Sequence, residues 1–133
     1  MTTLTSVTEE NRRLVQDMYD AGVRGDVEGL MSKLAPDVAV HEPALLPYGA
    51  VYHGHQEFLD LFTKIAQVLD ISKITLDYLV ADGDRVIGVL RIPDPATGGQ
   101  VLLAEQSTIR DGKIVEMRIF FHDAQSLIDA PKL

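Results

Sequence analysis

The chain has 133 residues, 46% of them apolar, with 20 acidic against 12 basic side chains, a net charge of −8 and no cysteine. That length suits one domain, 1–133, around one core, with the composition of an ordinary globular protein. The charge, with no basic stripe to offset it, argues against nucleic acid and anionic membranes, and the missing cysteines remove disulfides, thiolate metal sites and cysteine nucleophiles.

No apolar run approaches the roughly 20 residues of a bilayer span. The opening "MTTLTSVTEEN" has neither a basic segment nor an apolar one of the secretory kind, so a cytoplasmic location is expected. Ser6 with Glu9 three residues on forms a capping-box pattern ahead of a helix over residues 7–24. Leu14, Val15, Met18, Tyr19, Gly22 and Val23 give that helix its apolar stripe. Asp26 is placed to cap a short second helix carrying Leu30, Met31 and Leu34 and ending before Pro36. "DVAVHEP" alternates as a strand does and stops at Pro43. "ALLPYGAVYHG" then reads as an apolar and aromatic lip, and a third helix follows with Phe58, Leu59, Phe62, Ile65, Ala66 and Leu69 at helical spacing.

The remainder reads as strands. "KITLDYLVADG" and "DRVIGVLRIP" flank a turn at Asp82–Asp84, where Gly83 can take positive φ. After the breaker cluster "PDPATGG", "QVLLAEQSTIR" and "KIVEMRIFFHD" flank Asp111–Gly112, a strong hairpin signal. "AQSLIDA" reads as a closing helical turn. Helices first and an antiparallel meander after them indicate an α+β fold with helices on one sheet face.

Strand parity isolates three acids on apolar rows. Glu42 ends the row Val38, Val40; Glu105 lies within Val101, Leu103, Ser107, Ile109; Asp123 ends Val115, Met117, Ile119, Phe121. An acid desolvated in an apolar pocket has a raised pKa and suits proton transfer near neutral pH. Blander readings stand beside this one. Asp123 would equally cap the turn after it, a bulge would turn Glu105 to solvent, and Glu42 before its proline would be solvated. Tyr48, Tyr52 and His53 are placed near the pocket as lining or hydrogen-bonding groups. His53 and His55 with a glutamate could begin a metal site, but a metal needs further ligands and none is expected. No nucleophile elbow, P-loop or dinucleotide fingerprint is present, so no cofactor is expected.

The succession "GDVEGLMSKLAPDVAVHEP", "GAVYHGHQEFLDLF" and "IRDGKIVEMRIFFHD" resembles the nuclear transport factor 2-like superfamily, and within it the SnoaL-like and steroid isomerase-like branch. The resemblance covers about residues 8–127. It implies a cone-shaped, curved mixed sheet wrapped around three helices, enclosing a pocket, in a protein that is often a homodimer. It places the proton-shuttling acid of the steroid isomerases at Glu42 in "VHEP" and their second acid at Glu105. Their oxyanion tyrosine aligns with Met18 rather than with the neighbouring Tyr19. The acid–base aspartate of the polyketide cyclases aligns with Ile119, which cannot move a proton.

The expectation is therefore a cofactor-independent enzyme acting on a small apolar carbonyl compound, with Glu42 and Glu105 catalytic. Its substrate-binding residues are expected to be Met18, Tyr19, Tyr48, Tyr52, His53, Phe62, Met117, Ile119, Phe121 and Asp123. The other reading is a non-catalytic apolar-ligand-binding or dimerisation domain of the same fold.

Overall fold

A computed structural model describes residues 4–129. The order is helix α1 (Leu4–Val23), helix α2 (Val27–Met31), strands β1 (Leu34–His41) and β2 (Val51–His53), and helix α3 (Gly54–Ile65). A 3-10 turn at Ile71–Lys73 leads into β3 (Thr75–Asp82), β4 (Arg85–Pro93), β5 (Gln100–Arg110), β6 (Lys113–Phe121) and helix α4 (Gln125–Ile128).

The six strands form one curved sheet in the order β2-β1-β6-β5-β4-β3. Four are the expected antiparallel meander, but β1 lies parallel to β6, pairing Val40 with Met117. That pairing makes the sheet mixed and brings the end of β1 beside the centre of the last hairpin. The inward row of β4 and β5 (Val86, Leu90, Ile92, Leu103) meets the α1 stripe of Val15, Met18 and Ala21 in a common buried core. Leu90 is fully buried, so Leu90→Ala should lower unfolding stability by about 2–5 kcal/mol, read by denaturant titration.

Several local expectations need correction. The helix α1 already includes Leu4, which puts Ser6 inside it rather than at its cap. Asp26 does cap α2, its Oδ1 accepting the Gly29 N–H at 2.8 Å, but α2 ends at Met31 and Leu34 opens β1 instead. Pro36 is tolerated in that strand where the β1–β6 register is interrupted, between Leu34 and Ala39. In α3 the buried residues are Phe58 and Leu61, not Leu59. The lip contains a strand that was not expected: β2 pairs antiparallel with β1, Tyr52 opposite Val40. In β6 a bulge between the pairs Thr108–Glu116 and Ile109–Ile114 turns Ile114 inward in place of Val115.

The β5–β6 turn uses φ values of 53° at Asp111 and 73° at Gly112, the two left-handed positions of a tight hairpin. At the β3–β4 turn, Gly83 is gripped from α1: its N–H donates to Thr8 Oγ1 at 2.8 Å, and its carbonyl accepts from Asn11 Nδ2 at 2.8 Å.

Candidate active site

The inner sheet face and the helices α1 and α3 enclose a cavity of about 330 Å³. Its wall is aliphatic and aromatic, with polar groups from Glu42, Glu105, Tyr19, Tyr48 and Ser72, and among the described residues no lysine, arginine or histidine lines it. The most exposed lining residues are Gly22, Gly25, Val27 and Ser72, which mark its mouth. The segment after β1 contributes only Glu42 and Tyr48, both buried. It is therefore inner wall and not rim.

Glu105 projects inward from the middle of β5 and is partly buried, its residual surface facing the cavity it lines. Tyr19 on α1 donates its hydroxyl proton to Glu105 Oε1 at 2.6 Å. Desolvation pushes the Glu105 carboxyl up from its ordinary value, and the Tyr19 hydrogen bond opposes that rise without reversing it. Burial raises the Tyr19 hydroxyl as well, reinforced by the negative charge of Glu105. The residue across from Glu105 on β4 is Gly88. A Cβ there would stand 3.0 Å from the Tyr19 hydroxyl and 3.1 Å from Leu79 Cδ2, so the glycine makes room for the tyrosine–carboxyl pair. Gly88→Val should displace Tyr19 from Glu105 and lower stability by about 1–3 kcal/mol. Thermal unfolding and a change in the chemical shifts of the Tyr19 ring check this.

Glu42 is 9% exposed, and its Oε1 has no hydrogen-bond partner among the described residues. Desolvation, the larger cause, raises its pKa from 4.5 to about 8, with a further push from Glu105 whenever that carboxyl is ionised. The backbone fixes this placement: the Glu42 N–H donates to the Ala50 carbonyl at 3.0 Å, which extends the β1–β2 ladder past the strand end. Tyr48 lines the cavity close enough to Glu42 for that charge to push its hydroxyl up, after burial, the larger cause. Tyr48 is held from behind by Tyr52, whose hydroxyl donates to the Tyr48 carbonyl at 2.6 Å. Lys64 of α3 closes the chain, its Nζ 3.4 Å from the Tyr52 hydroxyl and 5.2 Å from that ring's centroid.

The cavity thus collects Met18, Tyr19, Glu42, Tyr48, Phe62, Glu105, Met117, Ile119 and Phe121 from the residues singled out by sequence. Three others lie elsewhere. Tyr52 is buried behind Tyr48, and His53 is exposed at the end of β2, where its N–H donates to Glu57 Oε1. Asp123 is exposed and accepts the Gln125 N–H at 3.0 Å, because the chain has left the sheet by then and the acid caps the closing turn. Met18, the position aligned with the oxyanion tyrosine, lines the cavity with its thioether, and the neighbouring Tyr19 reaches the second acid. His55 points away, with Nε2 at 3.2 Å from the Leu34 carbonyl oxygen. Among the described residues no group of three or more histidine, aspartate or glutamate side chains is arranged to hold a metal. Sequence reasoning missed Gly88, although a lone glycine inside a strand pattern signals close approach. It also missed the Ile71–Ser72 edge of the mouth, for which no signal exists.

A curved mixed sheet wrapped around helices, with an acid-bearing apolar cavity between them, defines the nuclear transport factor 2-like, or cystatin-like, fold. Solved structures share it. An NTF2-like protein from Burkholderia thailandensis E264 is 29% identical with a TM-score of 0.75, over 89% of this chain and 93% of that one. A protein with a cystatin-like fold from Xanthomonas campestris is 26% identical, TM-score 0.75, over 87% and 93%. TerC, co-crystallised with polyporic acid, is 24% identical, TM-score 0.73, over 91% and 99%. The SnoaL-like domain profile matches residues 15–117, and the chain belongs to that family. No curated protein matches the sequence.

Proposed function

We propose that this chain, acting as one cytoplasmic domain, is a cofactor-independent enzyme that moves a proton beside the carbonyl of a small apolar compound. Isomerisation, dehydration and cyclisation all use that step. The observation that carries the reading is Glu42, a buried carboxyl in the wall of an apolar cavity, with one oxygen unpartnered among the described residues and a pKa raised to about 8. A base poised near neutral pH has both the ionised fraction and the basicity that carbon-acid chemistry requires. Glu42 takes the α-proton; protonated Glu105, oriented by Tyr19, donates to the developing enolate oxygen, and Tyr48 offers a second hydroxyl. The apolar wall excludes water, so these few donors act in a medium of low polarity.

The test is deuterium exchange followed by NMR in D2O, using cyclic ketones, enones and a 3-ketosteroid with wild type and Glu42→Gln. Exchange α to a carbonyl that disappears in the variant supports the reading; exchange that persists undiminished removes Glu42 as the base. One observation favours a non-catalytic ligand-binding domain instead: the Tyr19 proton is directed to Glu105 and not into the cavity. In that case Glu42→Gln changes ligand affinity and no substrate exchanges. TerC is a protein of this fold crystallised with a small molecule, which suits either reading.

The homodimer belongs to the same proposal. On the outer sheet face Tyr78, Val89, Ala104 and Phe120 pair in register across β3, β4, β5 and β6, an apolar row in which Tyr78 and Phe120 are at least half exposed. Light scattering should give twice the chain mass, and Phe120→Asp should reduce it to the monomer value.

A further inference from the structure

Beyond that reading, we propose that the cavity is also a binding site for lipophilic amines, holding the ammonium group on Glu42 among the aromatic rings of the wall. Among the described residues the cavity is lined by two carboxyl groups and no basic side chain. An anionic ligand therefore meets no counter-charge from those residues, whereas a cation meets an acid with an oxygen unpartnered among the described residues. The desolvation of Glu42 is already part of the folded structure, so an ion pair formed on it loses less than one between two hydrated groups. Phe58 and Phe62, an edge-to-face pair with centroids 4.7 Å apart, line the same space as Tyr48 and Phe121. Ring faces attract ammonium groups in sites closed to water. The net charge of −8 further favours the approach of cations over anions.

The groups facing Glu42 are few. They are Glu105 from β5, with Tyr19 of α1 bonded to it, and Tyr48 from the loop, itself backed by Tyr52 of β2. The parts of α3, β6 and the 3-10 segment that line the cavity carry no titratable side chain. An ammonium needs Glu42 ionised, so amine affinity should climb with pH up to about 8 and level off until the amine itself deprotonates near about 10. A neutral ligand that accepts a hydrogen bond from protonated Glu42 should weaken over the same interval.

The experiment titrates the protein with cyclohexylmethylamine, cyclohexylmethanol and cyclohexanecarboxylate at pH 6.5 and 8.5. Calorimetry gives the affinities, and the methyl resonances of Met18 and Met117 report occupancy of the cavity. The expected result is amine binding about 25-fold tighter at pH 8.5 than at 6.5 and at least tenfold tighter than the alcohol at pH 8.5, with no carboxylate binding. Both methionine methyls should shift. In Glu42→Gln the amine should fall to the level of the alcohol. Amine binding that is absent, equal to the alcohol, insensitive to pH or silent at the two methionines overturns the proposal, and the wild-type series decides this without the variant. A protein that exchanges no α-protons but binds the amine through Glu42 retains this inference and loses the enzymatic one.

Discussion

Glu42→Gln is expected to slow α-proton exchange by about 10²–10⁴-fold, the usual contribution of a positioned general base. The amide keeps the shape of the side chain and most of its polarity but cannot accept the proton, so the fold should persist. Glu105→Gln should lose less, because a neutral amide N–H still donates to the ligand oxygen that protonated Glu105 would serve. The two variants therefore separate the roles: one loses the base, the other exchanges one donor for another. The wild-type rate should rise with pH and level off above about 8, where Glu42 is fully ionised in the free protein. Equal losses in the two variants would contradict the division of labour between the acids. A rate that falls between pH 6 and 8 would contradict Glu42 as the base.

Stability against pH should show the second large effect. Glu42 titrates near 4.5 in the unfolded chain and at about 8 in the folded one, so between those values the folded state holds a proton that the unfolded state has released. Stability from this group is complete below about pH 4.5, declines as pH rises, and is lost above about 8. The full span is about 5 kcal/mol, an upper figure because water entering the cavity would soften it. Glu105 is shifted in the same direction, with burial as its cause, and adds to the slope. Thermal unfolding between pH 5 and 9 should therefore descend steadily in wild type and more gently in Glu42→Gln, with the variant the more stable protein at pH 9. Parallel profiles for the two proteins would mean that Glu42 is hydrated in the folded state.

The sequence made the acids visible because alternation on a strand is a rigid rule. Glu42 and Glu105 interrupt rows of Val and Leu, and both line the cavity. Asp123 satisfied the same parity but lies beyond the last paired residue of β6, where parity no longer fixes direction. His53 and Tyr52 were misplaced for a related reason. The lip reads as an apolar and aromatic segment, and the three-residue strand β2 that orients both is too short to show a period. Val115 failed through the bulge in β6, which changes parity without leaving any mark in the residues themselves. The parallel β1–β6 pairing is a property of the whole topology, and the family resemblance implies only that the sheet is mixed. Gly88 shows the converse: its signal was in plain sight, but its meaning depends on Tyr19, which is far away in sequence and adjacent only in the fold.

The double grip of Thr8 and Asn11 on Gly83 acts on Tyr19 from a distance. An α-helix advances about 100° and 1.5 Å per residue, so a screw displacement of α1 by one step would aim Met18 or Asp20 where Tyr19 now points. Two hydrogen bonds from successive turns, closing on the N–H and the carbonyl of one glycine, oppose such a step together with the buried packing of Val15, Met18 and Ala21. The hairpin turn thus serves as an indexing pin for the helix. The choice between a thioether and a phenol beside Glu105 is made by where that pin engages, eleven and eight residues upstream of Tyr19.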